Sequence, residues 1–101
     1  MDINEAREQI SLIDTQMAGL FARRMELSRE IAGYKREHGL PIEDREQEAQ
    51  VIAAHAGLIR DEALRPYYIR FLQETIDLSK RWQRGLTGDE QVDPEARSDR
   101  Q

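Results

Sequence analysis

The chain contains no cysteine. That excludes disulfides and thiolate metal ligands, and makes the cytoplasm the expected location. It has no apolar run of roughly 18 residues or more, so nothing in it reads as a membrane-spanning helix. The opening stretch "MDINEAREQI" has neither the basic start nor the apolar middle of a secretory signal. Positive charge is not in excess: 15 Lys and Arg stand against 20 Asp and Glu, a net of −5. A nucleic-acid partner normally needs a basic face, and is disfavoured. The two histidines, His38 and His55, have no metal-ligand spacing with each other or with nearby acids, and read as surface or edge residues. They support neither a metal site nor a Ser-His-Asp arrangement. Gly-rich phosphate loops, internal repeats and β-alternation are also missing.

What is present is a helical pattern. A chain of 101 residues is enough for one domain. Over residues 3–38 the only glycines are Gly19 and Gly33, there is no proline, and apolar residues recur every seven positions. One series is Ile3, Ile10, Met17, position 24 and Ile31; the other is Ala6, Ile13, Leu20, Leu27 and Tyr34. This predicts a first helix about 50 Å long, ended by Gly39 and Pro41. A second helix is expected over about 45–56, capped by Asp44, with Gln47 in the capping-box position. Val51, Ile52 and His55 would form its apolar side, and Gly57 its end. A third starts near Pro66 and runs to about Arg84, with Tyr68, Phe71, Leu72, Thr75, Ile76, Ser79 and Trp82 facing inward and Gly85 stopping it. Residues 1–85 form the helical domain. The tail, 86–101, is expected to be disordered; residues 85–101 hold five acids and two arginines, a net of −3. The first helix is too long for two short helices to bury, so the architecture expected is an all-α, intertwined homodimer.

Several polar residues stand where that pattern calls for apolar ones. Arg24 occupies a seam position, where a charge is costly unless paired. It could snorkel outward, pair with a carboxylate of the second helix, or meet an anionic ligand. Lys35 lies eleven residues on, close to three turns and roughly 16 Å away on a similar side. Alone it would be read as a helix-end lysine facing the macrodipole. Arg7 shares the phase of Lys35 but lies about 42 Å from it, so it could serve the same pocket only from a second, antiparallel chain. Ser79 and Gln83, one turn apart beside the inner stripe of the third helix, need hydrogen-bond partners. Cations and neutral donors inside a bundle, without an acidic cluster, point to a carboxylate-bearing ligand. Trp82, Tyr67 and Tyr68 read as packing residues.

Three stretches, "REQISLIDTQMAGLFARRMELSREIAGYK", "GLPIEDREQEAQVI" and "YYIRFLQETIDLSKRWQ", resemble the all-helical chorismate mutases (the AroQ class). The resemblance covers about residues 3–84. It implies an intertwined homodimer with two sites and the conversion of chorismate to prephenate in phenylalanine and tyrosine biosynthesis, with no cofactor and no metal. It also implies residue roles. Arg7 would bind a substrate carboxylate in the partner's site and Arg24 the other carboxylate, with Ser79 helping. Lys35 and Gln83 would donate to the ether oxygen of the breaking bond. Asp44, through its backbone region, and a glutamate of the second helix would receive the ring hydroxyl.

That glutamate must be chosen between Glu46 and Glu48. Counting from Pro41 without a gap puts Gln47-Glu48 where the family usually has Arg-Glu, and leaves Val51 and Ile52 on the apolar pair. Choosing Arg45-Glu46 would shift Gln50 inward. Glu48, three and four residues before Val51 and Ile52, is on their side of the helix. Gln47 then replaces the usual arginine, and Arg45 is the residue that could compensate. Two other readings compete: a relative acting on isochorismate or amino-deoxychorismate, and a non-catalytic dimerisation or regulatory module.

Overall fold

A computed structural model describes residues 1–87, which form three helices: α1 (Ile3–Glu37), α2 (Arg45–Ala56) and α3 (Arg65–Thr87). Residues 88–101, most of the segment expected to be a disordered tail, lie outside the described residues. No helix is long and apolar enough to cross a membrane among those described.

The ends of α1 are set by side-chain and backbone chemistry. Asp2 caps the start, accepting from the Glu5 N–H at 2.8 Å. At the other end Gly39 adopts φ 64, and the Leu40 N–H returns to the Lys35 carbonyl at 2.8 Å. A left-handed residue just past the helix end is what glycine allows at little cost, so Gly39 turns the chain toward α2. Asp44 caps α2 as expected, its Oδ1 accepting from the Gln47 N–H at 3.1 Å. The reciprocal bond, however, comes from Glu48 and not from the Gln47 side chain: the Asp44 N–H donates to Glu48 Oε2 at 3.2 Å. Arg65 closes the connection to α3 by donating to the Ile59 carbonyl through Nε at 3.2 Å and Nη2 at 2.9 Å.

Gly85 does not stop α3, contrary to the sequence expectation. The helix continues through Leu86 and Thr87. Gly85 keeps a negative φ, and Leu86 is half-buried beside Arg29, Ala32, Gly33 and Arg36 of α1.

α3 is the central element, packing on both α1 and α2, which do not pack closely on each other. Its buried face is Leu72, Ile76, Ser79 and Gln83. Phe71 and Trp82, expected on that face, stand 52% and 42% exposed. Trp82 still ties α3 to α1, donating through Nε1 to the Met25 carbonyl at 3.2 Å. His55 is exposed and does not join the apolar side of α2; Ala56 is the buried residue there. His38 is exposed as well, its ring stacked on Tyr34. Among the described residues the apolar core is small: Ala32, Ala56, Leu72 and Ile76. Along the first two thirds of α1 the seam is open, with Ile10, Ile13 and Leu20 all more than half exposed.

Candidate active site

Among the described residues, the buried polar ones are Ser28, Ser79 and Gln83. All three border one cavity of about 270 Å³ among the three helices. That is near the lower end of small-molecule sites, which run from roughly 300 to 1,000 Å³. Arg24 and Lys35 of α1, Asp44 and Glu48 at the start of α2, and Ser79 and Gln83 of α3 line it. Helical phase delivers them. Arg24, Ser28, Ile31 and Lys35 succeed one another at spacings of four, three and four, a single stripe of α1. Ile76, Ser79, Lys80 and Gln83 make the corresponding stripe on α3.

Arg24 does not snorkel outward, and among the described residues it pairs with no carboxylate. Its Nη1 donates to Ser79 Oγ, across the α1–α3 contact. Ser79 in turn donates from Oγ to the Thr75 carbonyl at 3.0 Å and lies 3.7 Å from Met25 Sδ. A guanidinium has five N–H donors in a planar fork, so one hydroxyl leaves it able to bind a carboxylate as well. Lys35 donates from Nζ to the Ile42 carbonyl at 2.7 Å. This fixes the loop before α2 and leaves two ammonium hydrogens for a ligand. Gln83 donates from Nε2 to Ser28 Oγ at 2.8 Å. Its Oε1 is buried and has no partner among the described residues.

The two glutamates at the start of α2 separate clearly. Glu46 is exposed, whereas Glu48 is half-buried and borders the cavity. Its Oε1 accepts from Lys80 Nζ at 3.0 Å, while its Oε2 accepts from the Asp44 N–H at 3.2 Å. Each carboxylate oxygen has two lone pairs, so one acceptor position on each remains. Gln47 also borders the cavity. Arg45 does not compensate for it: the Arg45 side chain is 87% exposed and its Nε lies 3.7 Å from Glu43 Oε1.

The cation in that quarter of the site is Lys80, a residue the sequence reading did not single out. Its side chain is 16% exposed, and it bridges Glu48 at 3.0 Å and Glu43 at 3.3 Å. Burial pulls the Lys80 pKa down, but hydrogen bonds and attraction from Glu48 and Glu43 outweigh it, and the net shift is upward. The hydrogen bond from Lys80 is the chief reason the Glu43 carboxyl is held below its ordinary value, with the Lys80 charge and Arg45 adding to it. The signal for Lys80 was present: it follows Ile76 by four residues and precedes Gln83 by three.

Arg7 does not reach this cavity. It is exposed on α1, seventeen residues before Arg24, a distance of about 26 Å along the helix. Neither histidine borders the cavity, and among the described residues no cluster of His, Cys, Asp and Glu is placed to hold a metal ion.

Residues 6–84 match the family described as chorismate mutase type II. No curated protein and no solved structure matches the chain.

Proposed function

The chain belongs to the chorismate mutase type II family, and from that premise we propose that it converts chorismate to prephenate in the cytoplasm, as a step toward phenylalanine and tyrosine. The observation that carries the proposal is the convergence of Arg24, Lys35, Glu48, Ser79 and Gln83 on one cavity sized for a small molecule.

The reaction is a unimolecular [3,3] rearrangement. The ether C–O bond breaks as a new C–C bond forms, and no nucleophile, general base or external electron carrier takes part. A protein can help in two ways. It can hold the flexible dianion in its chair-like, diaxial conformer. It can also stabilise negative charge gathering on the ether oxygen, with donors already fixed in a site shielded from water, usually the larger effect. Arg24, with Ser79 beside it, would take one carboxylate. The free hydrogens of Lys35 Nζ and of Gln83 Nε2 would meet the ether oxygen. Glu48 would accept the ring hydroxyl, with Asp44 fixing Glu48 through its backbone N–H.

The second carboxylate needs another cation, and Arg7 of a second copy would supply it. Two observations support a homodimer. Among the 87 described residues the buried apolar ones are Ala32, Ala56, Leu72 and Ile76, a small core for that length. Ile10, Ile13, Met17 and Leu20, spaced three and four apart, form an exposed apolar stripe on α1. Antiparallel pairing of two such stripes buries both and carries each Arg7 toward the other copy's cavity. The loss of chorismate absorbance with purified protein tests the proposal.

A further inference from the structure

We propose that Lys80, through its pairing with Glu48, sets the site for a ring hydroxyl and against a ring ammonium. This inference rests on the reading above, in which Glu48 meets the ring substituent of the bound dianion. A carboxylate on its own does not make that choice. It accepts from a hydroxyl, but it accepts more strongly from a cation, because charge-assisted hydrogen bonds are roughly twice as strong as neutral ones. An isolated Glu48 would therefore favour the analogue in which an ammonium replaces the hydroxyl.

Lys80 removes that preference. Its Nζ lies 3.0 Å from Glu48 Oε1, and the two side chains are only 16% and 21% exposed. The pair is neutral as a unit. A ligand ammonium brought against Glu48 would come close to a second cation where water screens poorly. It would bind against that repulsion or first give up its proton. A hydroxyl meets neither obstacle, since each oxygen of Glu48 keeps one acceptor position. The other partner of Lys80, Glu43, is 42% exposed at its side chain and 3.3 Å away, so the Glu48 contact is the shorter and less solvent-screened of the two. Lys80 itself borders the cavity, between Ser79 and Gln83 on the α3 stripe. The carboxylate cannot easily turn away from it, because Oε2 is held by the Asp44 N–H at 3.2 Å.

The test compares chorismate with its amino-deoxy analogue on the full chain, by kcat/KM for rearrangement and by calorimetric affinity. The wild type is expected to favour the hydroxyl ligand by roughly tenfold or more. Lys80→Met, which keeps an unbranched side chain and removes the charge, should erase or reverse that preference, and Lys80→Arg should retain it. Should Lys80→Met not fold, Glu48→Gln reads the same balance: with Lys80 left only its more exposed partner, Glu43, discrimination against the ammonium must sharpen. Equal affinity of the wild type for both ligands, or an unchanged preference in Lys80→Met, overturns the inference. Selective binding of the hydroxyl ligand without its rearrangement supports the role of Lys80 while contradicting the mutase reading.

Discussion

Gln83 Nε2 donates to Ser28 Oγ at 2.8 Å, and the other end of the same amide, Oε1, is buried without a partner among the described residues. One bond thus orients the amide assigned to the ether oxygen. Losing the acceptor would leave a buried donor unpaired, at a cost of about 1–3 kcal/mol. Ser28→Ala is expected to lower kcat several-fold with little change in KM. In a Gln83→Ala background the same substitution should add almost nothing, because the group it orients is gone. A double-mutant cycle on kcat measures this; equal effects in both backgrounds would make Ser28 a packing residue only.

Glu48 borders the cavity and Glu46 faces solvent, two residues away on the same helix. Glu48→Gln is expected to reduce kcat/KM for chorismate by roughly 10- to 100-fold, the range for one polar contact made in the transition state. Glu46→Gln should stay within about twofold, as surface changes usually do. Steady-state kinetics of the two variants side by side decides between them.

The proposed dimer predicts complementation. Arg7→Ala and Lys35→Ala chains should each be nearly inactive alone. Mixed and allowed to exchange, half of the dimers are mixed, and each mixed dimer has one site with both residues intact. Activity should return to about a quarter of the wild-type level if exchange is random. No recovery, with exchange demonstrated by labelled subunits, would remove Arg7 from the partner's site.

The Lys80 cluster sets the pH dependence of the α2–α3 tie. The Lys80 pKa is raised above 10.5, so its contribution is complete below that value and is lost as pH climbs through the folded-state pKa. The Glu43 pKa is lowered below 4.5, so its contribution is present above 4.5 and is lost as pH falls through the depressed value. The urea midpoint of wild type should therefore exceed that of Lys80→Met at neutral pH, and the gap should close at pH above 10.5. The gap to Glu43→Gln should instead close at pH below 4.5.

Much of this was legible in the sequence, for identifiable reasons. Gly39 and Pro41 ended the first helix because their backbone preferences are local. Arg24 stood out because a charge in an apolar seam breaks a periodic pattern. Glu48 followed from the phase of Val51 and Ile52. Lys80 did not stand out because it sits in "SKRWQR", where neighbouring Arg81 and Arg84 make it look like one more cation of a solvated face. Only the course of Ile76, Ser79 and Gln83 around α3 shows that it turns inward. Ser28 was missed for a related reason: heptad counting gave the seam to positions 24, 27 and 31, and a small hydroxyl beside them carries no contrast. Gly85 was misread as a stop because a helical propensity is only a local preference, and α3 runs on through it to Thr87.

The most direct measurement is the absorbance of chorismate incubated with the purified chain, with isochorismate run in parallel. Chorismate should disappear with prephenate as the sole product, without added metal or cofactor, and isochorismate should persist. Chorismate left intact while isochorismate gives salicylate and pyruvate would contradict the account.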